Sequence, residues 1–247
     1  MQARRLPARH GALWLMAGFG LFRANPPMLT MVTMAYLLVV VVITRLPHNA
    51  GSFILPIVMP ALTLMVANSC RAIEKGGWRP VGHFAEGLRE HRAALLLLGG
   101  LQLLGSLAMR GIATLLGIET DNIAAGKLDP EQLLGILLPL AAMGMPLLLA
   151  FWFAPVLTGW NGVSPLKSVF FSFVAVMRNW RAFLAYAVAI VVAGIVLPEL
   201  LIVFSGAVSA SFADGVATML RMLFIFILSP VLMASVYLSY RDIFVNA

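Results

Sequence analysis

The chain has 247 residues, 61% of them hydrophobic and 11% charged, with a mean hydropathy of +0.96. A soluble domain is about 45–50% apolar and about 25% charged, so this chain lacks the polar surface to cover a soluble core and reads as a single membrane domain over 1–247 with short loops. Its formal net charge is +7, but Lys and Arg gather beside apolar runs, the pattern of loops facing anionic headgroups. The expected partner is therefore the phospholipid bilayer, and no nucleic acid is expected.

In chain order, Arg4, Arg5 and Arg9 precede an apolar run from Ala12 to Phe22. Arg23-Ala24-Asn25-Pro26-Pro27 follows in place of a small-x-small cleavage site, so the segment reads as a retained amphipathic helix, with a cleaved signal peptide as the alternative. Six apolar stretches then reach membrane-spanning length: Pro27–Thr44, Phe53–Cys70, Ala93–Ile118, Leu133–Thr158, Ala182–Phe204 and Val216–Tyr240. Prolines within them, such as Pro56, Pro60, Pro139, Pro146, Pro198 and Pro230, predict kinks whose freed carbonyls find partners on neighbouring helices.

Loop charge sets the expected orientation. The N-terminal segment, the second loop (Arg71, Lys75, Arg79, Arg89, Arg92) and the fourth (Lys167, Arg178, Arg181) are basic. The third carries Lys127 against Glu119, Asp121, Asp129 and Glu131, and the fifth has only Asp214. This bias places both termini in the cytoplasm, with Arg45 alone pulling the other way.

The same segments suggest a threefold repeat, about 7–72, 80–158 and 165–242, each unit an interfacial amphipathic helix followed by a helical hairpin. Each opens on a proline (Pro7, Pro80, Pro165), which costs nothing in a first helical turn; Ser164 is a good N-cap for the third. Each reaches a matching signature before its first span: Arg23-Ala24-Asn25-Pro26, Arg89-Glu90-His91-Arg92 or Arg178-Asn179-Trp180-Arg181. Each second span carries a related tripeptide: Pro60-Ala61-Leu62, Pro155-Val156-Leu157 or Pro230-Val231-Leu232. In the third copy Phe170, Phe173, Met177 and Trp180 share one face, with Lys167, Ser168 and Ser172 elsewhere. In the second, Val81, Phe84 and Leu88 oppose Glu86, Arg89 and Glu90. Such helices lie in the headgroup plane or pack on the bundle's cytoplasmic face. Arg23, Arg89, Arg92, Lys167, Arg178 and Arg181 are the candidate headgroup contacts.

Charges within spans are functional hypotheses by default. Arg110 follows Arg92 by eighteen residues and Glu199 follows Arg181 by eighteen, which puts each about 27 Å across the membrane; Arg221 enters its span from outside to a similar level. These three either line an outward-facing polar pocket or snorkel to headgroups. Gln102, Ser106, Arg110 and Thr114 recur every four residues on one helical face, as a helix–helix hydrogen-bonding stripe or a water-lined path. Glycines such as Gly99, Gly100, Gly105, Gly135, Gly144 and Gly194 allow close helix approach.

Phosphate loops, zinc-protease helices and nucleophile elbows are missing from the sequence. The single cysteine, Cys70, permits no intramolecular disulfide. His10, His48, His83 and His91 lack metal-ligand spacing; His83, Glu86 and Glu90 share a face that a solvated helix explains. No catalytic residue, cofactor or metal is expected.

Phe151-Trp152-Phe153-Ala154-Pro155, Asn161-Gly162-Val163-Ser164-Pro165-Leu166-Lys167-Ser168, Ser172-Phe173 and Arg178-Asn179-Trp180-Arg181-Ala182-Phe183 resemble an uncharacterised family of proteobacterial inner-membrane proteins. That family is similar to the membrane domain attached to some glycerophosphodiester phosphodiesterases; Trp14, Gly18 through Phe22-Arg23, and Pro26 fit it too. The resemblance implies a bacterial inner-membrane location and a six-helix architecture. It carries over no catalytic residues, and without the soluble phosphodiesterase domain it implies no such activity. The expectation is an all-α polytopic bundle serving as a non-enzymatic scaffold or accessory for lipids or a membrane-protein partner. The alternative is a transporter or permeation component using the Arg110–Glu199–Arg221 level.

Overall fold

The computed structural model describes residues 3–47, 50–76, 84–118 and 130–244, and among them all regular structure is helical. The helices are α1 (His10–Ala24), α2 (Pro26–Thr44), α3 (Ala50–Glu74), α4 (Arg92–Leu115), α5 (Pro130–Phe151), α6 (Ala154–Asn161), α7 (Pro165–Arg178), α8 (Trp180–Val191), α9 (Leu197–Gly206), α10 (Ala210–Leu223) and α11 (Ser229–Phe244). Two π-helical turns, Val192–Val196 and Phe224–Leu228, join α8 to α9 and α10 to α11. Six stretches are long and apolar enough to cross a membrane: Pro26–Thr44, Ala50–Glu74, Arg92–Leu115, Gly135–Asn161, Trp180–Gly206 and Ala210–Phe244. They coincide with the six spans expected from hydropathy, with ends shifted by a few residues.

The chain divides into two compact units. The first comprises Met1–Val42, Leu62–Glu86 and Ala175–Ala247. Within it α1 packs against α8 and α11 through a face of Gly11, Trp14, Gly18 and Leu21, which recur every three to four residues as helical contact requires. The glycines are obligatory there. A Cβ on Gly11 would stand 2.1 Å from the Ala182 carbonyl oxygen, and one on Gly18 would stand 2.7 Å from that of Val231. The opposite face of α1 exposes Leu13, Met16 and Phe19, so this helix presents apolar side chains outward as well as inward.

The chain before α1 is pinned by the buried side chain of Asn179. Its Oδ1 accepts from the Leu6 N–H at 2.8 Å, while its Nδ2 donates to the carbonyls of Arg4 and Ala175, each at 2.9 Å. The Arg4 N–H in turn donates to the Ile243 carbonyl at 3.1 Å, joining the two ends of the chain.

The second unit comprises Ile43–Ala61 and Gly87–Val174. In it α4 packs on α5 and α6, and Gly99 lies against the Ile57 backbone, where a Cβ would come within 2.4 Å of the carbonyl oxygen. Gly100 and Gly135 face open space instead, so the expected close approach is realised at some of these glycines only.

The fourth predicted span is broken between α5 and α6. Pro155 has no N–H to continue the ladder, and the Ser172 hydroxyl enters the gap. It accepts from the Phe153 N–H at 2.9 Å and donates to the Leu149 carbonyl at 2.8 Å. In an unbroken helix those two backbone groups would bond each other. Gly162, at φ 61°, then ends α6 in a left-handed turn closed by a Val163 N–H to Leu157 carbonyl bond of 3.4 Å. Pro165 starts α7 as expected, and the Ser164 carbonyl accepts from the Ser168 N–H at 2.9 Å. Residues 149–172 thus build this break, turn and helix start.

The polar side of α7 turns inward. Ser168 and Ser172 are buried, whereas Phe170, Phe173, Met177 and Trp180 are exposed. Inside, the Thr158 hydroxyl donates to that of Ser168 at 2.9 Å, which donates to the Val163 carbonyl at 3.2 Å. In lipid the small polar face seeks protein, because buried hydroxyls need partners there.

The second repeat copy departs from the expected helix. Pro80, Val81 and His83 lie outside the described residues. Over residues 84–91 the chain forms a short 3₁₀ segment and turns. Gly87 sits at φ +74°, beside the Gly159 carbonyl, and a left-handed residue cannot continue an α-helix.

Candidate functional site

The residues expected to touch headgroups share one property. Arg23, Arg89, Arg92, Lys167, Arg178 and Arg181 are all exposed. Ion pairs among the described residues, such as Arg71–Glu86 at 3.6 Å and Arg241–Asp242 at 2.9 Å, involve none of the six. The Arg181 guanidinium lies 5.4 Å from the Trp180 ring centre, a cation–π arrangement. Among the described residues these charges therefore stand free for anionic groups, and Lys167, Arg178 and Arg181 do so on or next to α7, whose aromatic face is exposed.

The residues expected inside the spans divide between the units. In the second unit Arg110 is exposed on α4, with Gln102 and Ser106 half-buried. The stripe bonds within its own helix: the Ser106 hydroxyl donates to the Gln102 carbonyl at 2.9 Å and the Thr114 hydroxyl to the Arg110 carbonyl at 3.0 Å. These two hydroxyls thus take the intrahelical bond common to Ser and Thr.

In the first unit Glu199 and Arg221 line one groove of about 770 Å³. The α8–α9 and α10–α11 stretches run antiparallel, in a register set by the Tyr186 and Ser235 hydroxyls, 2.5 Å apart. Glu199 lies thirteen residues after Tyr186 and Arg221 fourteen before Ser235, so the two charges stand level across the pair. Both are exposed, and among the described residues neither joins an ion pair. Apart from them the lining is largely apolar, including Met16 and Phe19 of α1 and Gly194, Leu220, Ile227 and Leu228.

Two prolines shape this groove. A proline ring clashes with the carbonyl four residues earlier and gives it no N–H. For Pro198 that carbonyl belongs to Gly194, and for Pro230 to Phe226. Each lies in a π-turn, where the Leu197 N–H reaches back to the Val192 carbonyl and the Ser229 N–H to that of Phe224. The Ser229 hydroxyl also donates to the Phe224 carbonyl at 3.0 Å, and the Thr30 hydroxyl of α2 donates to the freed Phe226 carbonyl at 3.4 Å. The kinks expected at these prolines are thus widened turns, level with each other and bordering the groove. Turns of this kind concentrate at functional sites. The two prolines signalled a distortion; its helical type is invisible in sequence.

Sequence reasoning missed a polar network in the same unit. Glu74, at the end of α3, accepts from the Tyr237 hydroxyl and from Arg241 Nη1. Asp242 accepts from Arg241 Nη2 at 2.9 Å and from Trp14 Nε1 at 3.0 Å. Arg241-Asp242 on a last helical turn was the available signal, but Glu74 lies 167 residues away. Among the described residues no group of three or more His, Cys, Asp and Glu could hold a metal ion, and His83 falls outside them.

The chain is similar over its whole length to a curated protein of Burkholderia thailandensis named a probable inner membrane protein. The two are 28% identical over 268 aligned positions, which cover 99% of this chain and 94% of that protein. No family model matches the sequence, and no solved structure matches it. With six apolar spans, the chain is an integral, multi-pass inner-membrane protein.

Proposed function

We propose that this protein is a non-enzymatic scaffold or accessory of the inner membrane that works through contacts with membrane lipids, with both termini in the cytoplasm. The observation that carries the reading is the set of unpaired basic side chains, Arg23, Arg89, Arg92, Lys167, Arg178 and Arg181, exposed around the helix starts. Free guanidinium and ammonium groups beside apolar aromatics suit anionic headgroups. The threefold repeat belongs to this reading: α7 followed by the α8–α11 hairpin is its fullest copy, and α1 opens the first. The resemblance to the membrane domain of some glycerophosphodiester phosphodiesterases fits a lipid-associated role, and a membrane-protein partner would dock on the same membrane domain.

The test is purification in mild detergent with mass spectrometry of co-purifying lipids and proteins. The expected result is enrichment of anionic phospholipid over bulk membrane, lost when Lys167, Arg178 and Arg181 are all changed to Gln. Lipid retained at bulk composition, unaltered by those changes, would contradict the reading.

A second reading, a transporter or permeation component, is favoured by the single groove shared by Glu199 and Arg221. It requires Glu199→Gln to abolish a transport phenotype while insertion stays normal.

A further inference from the structure

A charged side chain in a membrane span is costly unless it meets a partner, water or a ligand. Glu199 and Arg221 carry opposite formal charges, stand level, open onto one groove and form no ion pair among the described residues. From Trp180 to Glu199 is nineteen residues, about 28 Å of helix. With Arg178 and Arg181 at one headgroup layer, the pair reaches the other edge of a core about 30 Å thick.

From Arg221 the groove continues along the helix to Val231, ten residues further, or about 15 Å. That matches one leaflet, half of the roughly 30 Å core. Its far end is walled by Met16 and Phe19 of α1. The site therefore has a two-charge end at a headgroup level and an apolar slot one leaflet deep.

We propose that this groove binds one zwitterionic phospholipid with a primary-ammonium headgroup, phosphate toward Arg221, ammonium toward Glu199, and one acyl chain along Gly194, Ile227 and Leu228 to α1. The assignment rests on the lipid-associated reading above and names the lipid class for a separate site. Charge complementarity selects the occupant. An anionic headgroup would satisfy Arg221 and set its phosphate against Glu199, and an apolar helix from another chain would leave both charges unanswered in lipid.

The test is native mass spectrometry of the protein released from nanodiscs holding equal phosphatidylethanolamine and phosphatidylglycerol. The groove lipid, read as the lipid that Ala217→Phe releases and so apart from the anionic lipid held by the basic side chains, is expected to be phosphatidylethanolamine over phosphatidylglycerol by about tenfold in wild type, the worth of one charge-assisted hydrogen bond. Glu199→Gln should bring that ratio near one, and Arg221→Gln should release both lipids from the site. Should either fail to fold, Ala217→Phe occludes the groove with both charges intact and must release the phosphatidylethanolamine. A ratio near one in wild type, a ratio unchanged in Glu199→Gln, or a protein dimer in place of bound lipid would overturn the proposal. Loss of the groove lipid alone, with anionic lipid still held by Lys167, Arg178 and Arg181, would leave the broader reading standing. Loss of all lipid selectivity in wild type would remove both.

Discussion

The Thr30 hydroxyl donates, at 3.4 Å, to the carbonyl of Phe226, the group that Pro230 leaves without a backbone donor. This bond ties α2 to a specific distortion in a distant span. Thr30→Val keeps the shape and removes the donor. It is expected to cost about 0.5–1.5 kcal/mol in thermal unfolding of the detergent-solubilised protein. In a Pro230→Ala background, where the substituted residue supplies the missing backbone N–H, the same change should cost much less, and equal costs in the two backgrounds would refute the link.

The prolines beside the groove are expected to hold it open at the expense of stability. Replacing Pro198 and Pro230 together by Ala removes two clashes, each worth up to about 3 kcal/mol in a helix interior. The melting temperature should rise while retained groove lipid falls. A lower melting temperature with unchanged lipid would show that the π-turns do not depend on the prolines.

Ser172 offers a sharper stability test. Its hydroxyl bonds both backbone groups at the break between α5 and α6, so Ser172→Ala removes both bonds at once. The expected loss is about 1–3 kcal/mol per group, a drop in melting temperature of about 2–4 °C per kcal/mol for a chain of this size. Phe170→Ala, on the exposed face of the same helix, should change it far less.

How much of this was legible in the sequence follows from what periodicity records. The six spans were legible because about twenty apolar residues have few other uses. The α7 stripe was legible as a face, but which side meets protein was not: in lipid the aromatic face turns outward and Ser168 and Ser172 turn in. Pro198 and Pro230 announced distortion without its type; at Pro230 one of the hydroxyls that take up a carbonyl, that of Thr30, comes from a helix far away in sequence. Level placement of Glu199 and Arg221 could be counted from span lengths, but their common rotation toward one groove could not. The Glu74–Arg241–Asp242–Trp14 network was hidden because its members come from three separate helices.

Close packing of α1 makes a further prediction. Gly11→Ala and Gly18→Ala each place a methyl against backbone that cannot move aside, at 2.1 and 2.7 Å, and should loosen α1 from α8 and α11. Increased proteolysis of the N-terminal segment and a red shift of Trp14 emission, read in a background without the other tryptophans, would report this. Gly20→Ala, with no atom within 4 Å of its Cβ, is the control that should change neither.

Trp14 also ties α1 to the end of α11 by donating to Asp242. Trp14→Phe keeps an aromatic ring and loses the indole N–H, so the expected cost is about 1.5–3 kcal/mol for a hydrogen bond to a charged group, plus lost packing. In an Asp242→Ala background the hydrogen-bond part of that cost should vanish; a cost unchanged between backgrounds would show the bond contributes nothing.

The lipid contacts proposed for Lys167 and Arg178, and the opposite placement of Glu199 and Arg221, all depend on which side of the membrane each end of the last hairpin occupies. Cys70 is the single cysteine and is buried, so Cys70→Ala gives a background for single exposed cysteines at Lys167, Arg178 and Ser209. With a membrane-impermeant maleimide on intact cells whose outer membrane has been made permeable, Ser209→Cys should label at once. Lys167→Cys and Arg178→Cys should label only after the inner membrane is opened. Labelling of all three from one side, or the reverse pattern, would contradict the account.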